Sequence, residues 1–583
     1  MAYFRNSAFA ATVLAGLALA AAGATYRISA PGGVGDVGAL TNAIMALNAA
    51  NNSGATILLE PGVYDLRGVY TPIAGKPYGA HLYFNTTCKN GLLAGLGATP
   101  GDTILLGGGD VDKMRVLHIW STDAAKPTTV SNLTVTGGYQ TGDSGGIYGS
   151  SYGGLILRDV IVTNNYAKGL GGGVLRAKMY NCLIADNSSG SKNGGGFWSD
   201  TAGMGAWNCV FSNNTTTANG GGFYSSGADG FLVNCHFYDN SAASASGAFM
   251  SGSGSLVSNC IFRGNAPTAA GNSTKYGGGL NLGSGICTDC VFEDNAADRG
   301  GGIYVASSSS VVRNCLFERN RQTGWASGAA LFVNPSSPLA LVSNCVFNTN
   351  VANLWSSRTI ISNADLVDCV ITNHAVLSGY VIAGCNMTRC LFAHNSTTVN
   401  AQHLDIGTVY GGTTVYRTNV NCIVAYNHAF GSSSITDGKT VLNCTYYGNV
   451  CDNASYTPLH DSPAWNTILA ANTTAGNPLD VRGASHPHLT NCVFTASNVA
   501  VNADGLSGCK QSSNIKFEPS ATGGEFDIRH SSPARDLGVI EDWMVPLLGA
   551  TDYAGRPRVM FGAIDAGALE CQRPPQFFQI RVQ

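Results

Sequence analysis

The sequence predicts an all-β chain wound as a right-handed parallel β-helix, a solenoid of about 26 residues per coil with a short helix capping its N-terminal end. Three observations predict it. The dipeptide Asn-Cys returns at near-constant spacing, an apolar residue stands two positions after each Cys, and an Asn stands five positions after it. The pattern is plain at Asn181-Cys182 with Ile184 and Asn187, at Asn208-Cys209 with Phe211 and Asn214, and at Asn234-Cys235 with Phe237 and Asn240. It returns at Asn259-Cys260, Asp289-Cys290, Asn314-Cys315 and Asn344-Cys345, and more loosely at Asp368-Cys369, Arg389-Cys390, Asn421-Cys422, Asn443-Cys444 and Asn491-Cys492.

The phase survives where Cys is lost. Leu133, Val160 and Thr467 hold its place, giving 15 positions from Leu133 to Cys492 with a mean interval of about 26 residues. Residues two apart point to one side of a strand, so Cys and the following apolar residue face inwards together. No coil holds a helix-length periodic segment, which argues against helical repeats. A propeller blade needs four strands in about 40 residues, too many for this spacing. Three short strands and three turns fit.

The elements follow in order. Arg5, the apolar run Ala8 to Ala22 and the small-residue site Ala22-Gly23-Ala24 read as a secretory signal over residues 1–24. Asp36 suits a helix N-cap, and Leu40, Ala43, Ile44 and Leu47 follow at helical spacing, predicting a helix over the open end of the solenoid. Residues 25–130 are expected to hold this cap and the first irregular coils, with strands at Thr56-Ile57-Leu58-Leu59 and Thr103-Ile104-Leu105-Leu106. Residues 131–500 are the regular coils. In 12 of the 15 coils Asn occupies the fifth position after the Cys site, with Gly138, His374 and Ser497 as exceptions. Asn tolerates left-handed backbone and suits a turn rebuilt in every coil; stacked about 4.8 Å apart, its amides can also bond along the axis. Glycine blocks at Gly171–Gly173, Gly194–Gly196, Gly220–Gly222, Gly277–Gly279 and Gly300–Gly302 each precede an apolar residue and read as tight bends.

Phe-x-x-Asn alternating with Gly-Gly-(Ala/Gly)-apolar resembles the repeats of polymorphic outer-membrane proteins and the wider pectate-lyase-like β-helix superfamily, over about residues 130 to 500. Residues 501–583 differ in composition. Ser532-Pro533-Ala534-Arg535-Asp536, Gly555-Arg556-Pro557-Arg558 and Asp565-Ala566-Gly567-Ala568-Leu569-Glu570 resemble the terminal region of bacterial surface β-helix proteins of the choice-of-anchor groups. That resemblance implies a cap or anchor-like region and a secreted or cell-surface location. Neither a transmembrane stretch nor a complete translocator barrel is readable after residue 500.

Of the 18 Cys, 12 stand in the ladder. Stacked residues project in parallel, whereas a disulfide needs a particular relative orientation, so buried thiols acting as small apolar groups are expected. Cys287, Cys385, Cys451 and Cys509 lie off the ladder, within reach of Cys290, Cys390, Cys444 and Cys492 as alternative partners. Cys287-x-x-Cys290 has the spacing of a metal or redox pair but lacks a second pair, so no metal ligands and no cofactor are assigned.

Charged residues make up 11% of the chain and the net charge is −3, which excludes a nucleic-acid footprint. The β-helix hydrolases carry clustered Asp pairs and a Gly-His-Gly motif, and this chain has neither. Arg263, Glu293 and Glu318 share the third position after successive ladder Cys, and Asp239, Asp294 and Arg319 share the fourth. They read as cross-coil ion pairs on a wet face, with a carbohydrate or Ca2+ site and then catalysis as the alternative readings. His236, His374 and His394 form no constellation. No catalytic residue is assigned. The expected function is that of a non-catalytic surface protein, an adhesin or carbohydrate-binding rod whose partner is an extracellular or cell-surface polysaccharide. The alternative is a polysaccharide lyase or glycoside hydrolase with an unrecognised site.

Overall fold

The computed structural model describes residues 23–50, 54–69, 79–85, 89–121, 123–267, 275–324, 327–334, 338–352, 359–377, 379–397, 403–407, 417–478, 481–482, 488–495, 505–517, 525–560 and 563–572. The secretory signal expected over residues 1–24 lies outside them except for its last two positions. No helix among the described residues is long and apolar enough to cross a membrane. The chain falls into two units, Met1–Asn272 with Gly278–Ile286, and Ser273–Gly277 with Cys287–Gln583.

The first unit opens with parallel strands Thr25–Ile28, Thr56–Leu59 and Leu92–Gly95, paired as Ile28↔Leu59 and Leu59↔Gly95. The expected helix is Val37–Ala50. The Ala39 N–H donates to Asp36 Oδ1 at 2.8 Å, and Leu40, Ala43, Ile44 and Leu47 are buried. One later coil shows the plan. Strand Lys178–Tyr180 ends at Asn181 (φ 54°), strand Leu183–Ala185 ends at Asp186 (φ 55°), strand Ser188–Ser189 follows, and Phe197–Ser199 forms the far wall. This coil thus carries four short strand segments, because a left-handed residue breaks one expected strand into two, whereas Thr128–Thr136 and Leu155–Thr163 run unbroken through Asn132 and Asp159.

Within the first unit successive coils lie in parallel register. Ile184 pairs with Phe211, Phe211 with Phe237, and Phe237 with Phe262. The rings stack inside, at 4.8 Å and 2° for Phe211–Phe237 and 4.7 Å and 7° for Phe237–Phe262. Burying each such side chain stabilises by about 1.5–3 kcal/mol, and ring stacking adds to this.

The sequence reading of the fifth-position Asn needs a correction. These residues do not take the left-handed conformation; the residues just before them do, at Asn164, Asp186, Asn213 and Asp239. Asn165, Asn187, Asn214, Asn240 and Asn265 instead point inwards and are buried. Asn187 Nδ2 donates to Asn214 Oδ1 at 3.1 Å, and Asn214 to Asn240 and Asn240 to Asn265 at 3.0 Å. Each also bonds a backbone carbonyl of the previous coil, as Asn214 does to Ile184 O at 2.8 Å. Buried amides are thereby satisfied inside an apolar core. The glycine blocks are explained by the same row. Gly194 has φ 79°, and a Cβ on Gly196 would lie 2.9 Å from Asn214 Cγ and 2.6 Å from Gly222 O.

The second unit repeats these ladders. Phe292, Phe317 and Phe347 stack at 4.9 and 4.7 Å. The amide row runs Asn295, Asn320, Asn350, then His374, Asn395, Asn427, Asn449 and Asn472. Its last coils hold a buried ion pair, Lys439 Nζ to Asp405 Oδ1 at 2.5 Å. Asn419 and Tyr446 complete that network, with Asn419 Nδ2 donating to Asp405 Oδ2 at 2.8 Å and Tyr446 Oη to Thr436 Oγ1 at 2.9 Å.

The C-terminal segment docks on these coils. Arg558 is buried and donates to Glu570 Oε1 (2.9 Å), Asn421 Oδ1 (2.5 Å) and two carbonyls. Asn421 Nδ2 reaches Leu548 O at 2.8 Å, and Asn466 exchanges two bonds with the Val539 backbone.

Candidate functional site

The sequence-derived candidates resolve as structural groups. In the second unit Arg319 reaches Asp294 (3.1 Å), Glu318 (2.9 Å) and Glu293, on coils where Glu293 pairs with Glu318 in register. Arg319 is 44% exposed, so this is a solvated ion-pair cluster of small energetic weight. Asp239 and Arg263 are exposed on the corresponding strands of the first unit. His236 is hydrogen-bonded to Tyr238 at 2.8 Å, His394 stacks on Tyr426 at 5.3 Å, and His374 is a rung of the amide row.

All 17 described Cys are free thiols, and Cys509 alone among them is not fully buried. The pairings weighed for Cys287, Cys385, Cys451 and Cys509 are not formed. Instead, the backbone N–H of one ladder Cys donates to the sulfur of the next, at 3.3 Å for Cys182 and Cys209 and 3.4 Å for Cys315 and Cys345. Burial pushes the Cys385 thiol up to about 12, so it is protonated and inert at neutral pH. Cys287 and Cys290 gather a third thiol, Cys315, with the three sulfurs within 4.8 Å of one another. Two of them are ordinary ladder rungs.

The far sheet of the first unit carries the site that sequence reasoning missed. Tyr83, His118 and Tyr148 are paired in register on strands Ala80–Phe84, Arg115–Ile119 and Ile147–Gly149, and further on Trp198 pairs with Tyr224 and Tyr224 with Phe249. Tyr224 and Phe249 stack face to face at 4.7 Å and 4°, so only their edges meet solvent. At the Tyr83 end the column opens into a cavity of about 410 Å3 lined by Arg115, His118, Trp120, Gln140, Asp143 and Tyr148.

Arg115 is the distinctive group. It is 8% exposed. Its guanidinium lies 4.5 Å from the Tyr148 ring centroid, and its Nη1 donates to His118 Nδ1 at 3.3 Å. Because arginine only donates, His118 Nδ1 accepts and the ring proton sits on Nε2. Burial, reinforced by the Arg115 charge, holds His118 down at about 3, so its imidazole is neutral. Burial also lowers Arg115 to about 10, which leaves it cationic at neutral pH. Among the described residues no carboxylate forms an ion pair with Arg115, and its Nε is buried without a hydrogen-bond partner. Asp143 is the single carboxylate of the lining, and its Oδ1 accepts from the Leu170 N–H at 2.8 Å. Gln140 is fixed by donating to Gly79 O at 2.8 Å.

A buried cation facing an open cavity with aromatic walls is suited to an anionic group on a ring-shaped ligand. Hydrolysis of a glycosidic bond calls for two carboxyl groups flanking it, and the lining supplies one. The sequence carried no signal for this site, because Arg115 and His118 lie in coils without the Asn-Cys repeat.

A family model described as right handed beta helix region matches residues 191–336. No curated protein sequence matches the chain. Among solved structures, the A-module of a mannuronan C-5 epimerase from Azotobacter vinelandii is similar at 13% identity and a TM-score of 0.20, covering 84% of this chain and 99% of that one. An alginate lyase of family PL6 is similar at 9% identity and 0.22, covering 82% and 100%. Pectate lyase Pel9A is similar at 13% identity and 0.16, covering 90% of each. These likenesses are distant. The parallel registers and the family-model match together make this chain an all-β, right-handed parallel β-helix of about 26 residues per coil.

Proposed function

We propose that the protein is an exported, non-catalytic β-helix that binds a carbohydrate, with the Arg115 cavity receiving a sugar that bears a carboxylate or sulfate. The observation that carries this reading is the buried Arg115 guanidinium, without an ion pair among the described residues, beside Trp120 and Tyr148. A buried cation held only by His118, the Tyr148 ring and the field of Asp143 is costly, and an anionic ligand group relieves that cost while a sugar ring packs on the aromatic walls. The single lining carboxylate supports binding without hydrolysis.

The test is calorimetric titration of the full chain with uronate oligosaccharides and their neutral counterparts. Acidic glycans are expected to bind and neutral ones to bind at least about tenfold more weakly, the loss expected for one charge-assisted hydrogen bond. Arg115→Gln is expected to abolish that preference. Equal binding of both classes would reject the assignment. An ultraviolet-absorbing unsaturated product, or new reducing ends, would replace it with a lyase or hydrolase. Export is tested separately, by sequencing the N-terminus of the mature chain, with cleavage expected before Thr25.

A further inference from the structure

In the second unit, the sheet facing away from the Cys ladder gathers a different set of groups. Strands Thr436–Asp437 and Leu459–His460 pair in parallel, with Asp437 opposite His460. Asp461 follows with φ 44°. This left-handed backbone breaks the alternation of a strand, so that two successive side chains converge. One ligand atom each from Asp437, His460 and Asp461 lies within 4.8 Å of the others, and all three residues are half-buried.

His403 orients this group. Its Nδ1 accepts from the Ser434 backbone N–H at 3.2 Å, so its Nε2 carries the proton. That Nε2 lies 3.2 Å from Asp437 Oδ2, within ion-pairing distance. The Tyr456 ring lies 5.8 Å from His403 and 5.4 Å from His460 and walls the site.

We propose that Asp437, His460 and Asp461 bind a divalent transition-metal ion of the zinc class, with the neighbouring His403 orienting Asp437. Three observations support this. Ligand atoms of two carboxylates and one imidazole gather within 4.8 Å of one another, as donors around a single ion do. An imidazole in the set selects a transition metal over calcium or magnesium. His403 lies 3.2 Å from Asp437, where an imidazole can orient a ligand carboxylate. Three protein ligands leave a position open for water or a further ligand.

The experiment uses the full chain stripped of metal and titrated with Zn2+ and with Co2+. One equivalent is expected to bind, with a visible Co2+ band and no thiolate-to-cobalt charge transfer. His460→Ala and Asp461→Asn are each expected to lose more than about 100-fold in affinity, and His403→Phe about 10–100-fold, as for an orienting partner. Unchanged melting of the metal-free variants shows that they fold. If they do not fold, X-ray absorption of the zinc-loaded wild-type chain decides, and a shell of nitrogen and oxygen supports the site. No binding, binding untouched by the substitutions, or a sulfur shell from Cys287, Cys290 and Cys315 overturns it.

Discussion

The Asn that precedes most of the ladder positions serves two purposes in two regions of the molecule. In the regular coils it is a surface residue. Asn208 reaches Asn181 at 3.4 Å, Asn259 reaches Asn234 at 2.8 Å, and Asn344 reaches Asn314 at 2.9 Å, with five of these six residues exposed and Asn234 partly so. Near the C-terminus the same position is fully buried at Asn421, Asn443 and Asn466, where side-chain amides hold the terminal segment. The backbone is the same in both regions, with φ of 52° at Asn208 and 55° at Asn421. The residue is selected locally by a left-handed turn, and its wider role is set by what covers it.

The comparison breaks most sharply at Arg558. Arg558→Met leaves Glu570 buried without its partner, and we expect a loss of about 3–5 kcal/mol in denaturant unfolding. Limited proteolysis should then cut residues 530–572, while the regular coils stay resistant.

The next test concerns His374, the imidazole rung of the amide row. Its Nδ1 accepts from the Asn350 N–H at 3.1 Å, while its Nε2 is buried without a partner. Burial holds His374 at about 3, against 6.5 for an ordinary histidine. As pH falls below 6.5 the unfolded chain takes up the proton first. The contribution is therefore complete above pH 6.5 and is lost as pH falls towards 3, at up to about 1.4 kcal/mol per unit. Unfolding curves at stepped pH should show His374→Asn less sensitive to acid than the wild-type chain. Equal slopes would remove His374 as the cause.

A finer test sets Asn421→Ala against Asn208→Ala. Both give up the left-handed preference of Asn, but the first also strands hydrogen-bonding groups of Arg558 and Leu548. The expected excess loss for Asn421→Ala is about 1–3 kcal/mol. The smallest effect belongs to Arg319→Ala, expected within about 1 kcal/mol and shrinking further in high salt, because its ion pairs are solvated.

The coil was legible because its period repeats. Cys and the residue two positions on had to share a face, and the structure buries both files. The capping helix was legible from Asp36 and its apolar spacing. The inward turn of Asn187 and its fellows was not, since an Asn beside a bend is equally at home in the bend itself. The Arg115 cavity was hidden for another reason. Its lining spans residues 79 to 148, in coils that carry no ladder Cys from which a register could be counted. The His403 cluster sits where counting also fails. The Cys369 N–H donates to the sulfur of Cys390, 21 residues on, and the Cys390 N–H to that of Cys422, 32 residues on, so positions on the far sheet cannot be extrapolated from the Cys file.

Those unequal spans have an evolutionary consequence. A span of 21 residues and one of 32 present the same rung to their neighbours, so the rung does not depend on the length of chain between rungs. Segments can therefore be gained or lost between rungs without disturbing the file. Whole coils can be duplicated or deleted in step with the file. A lineage of such proteins can therefore vary its length and its surface loops separately, and new recognition can be tried between rungs while the framework keeps folding.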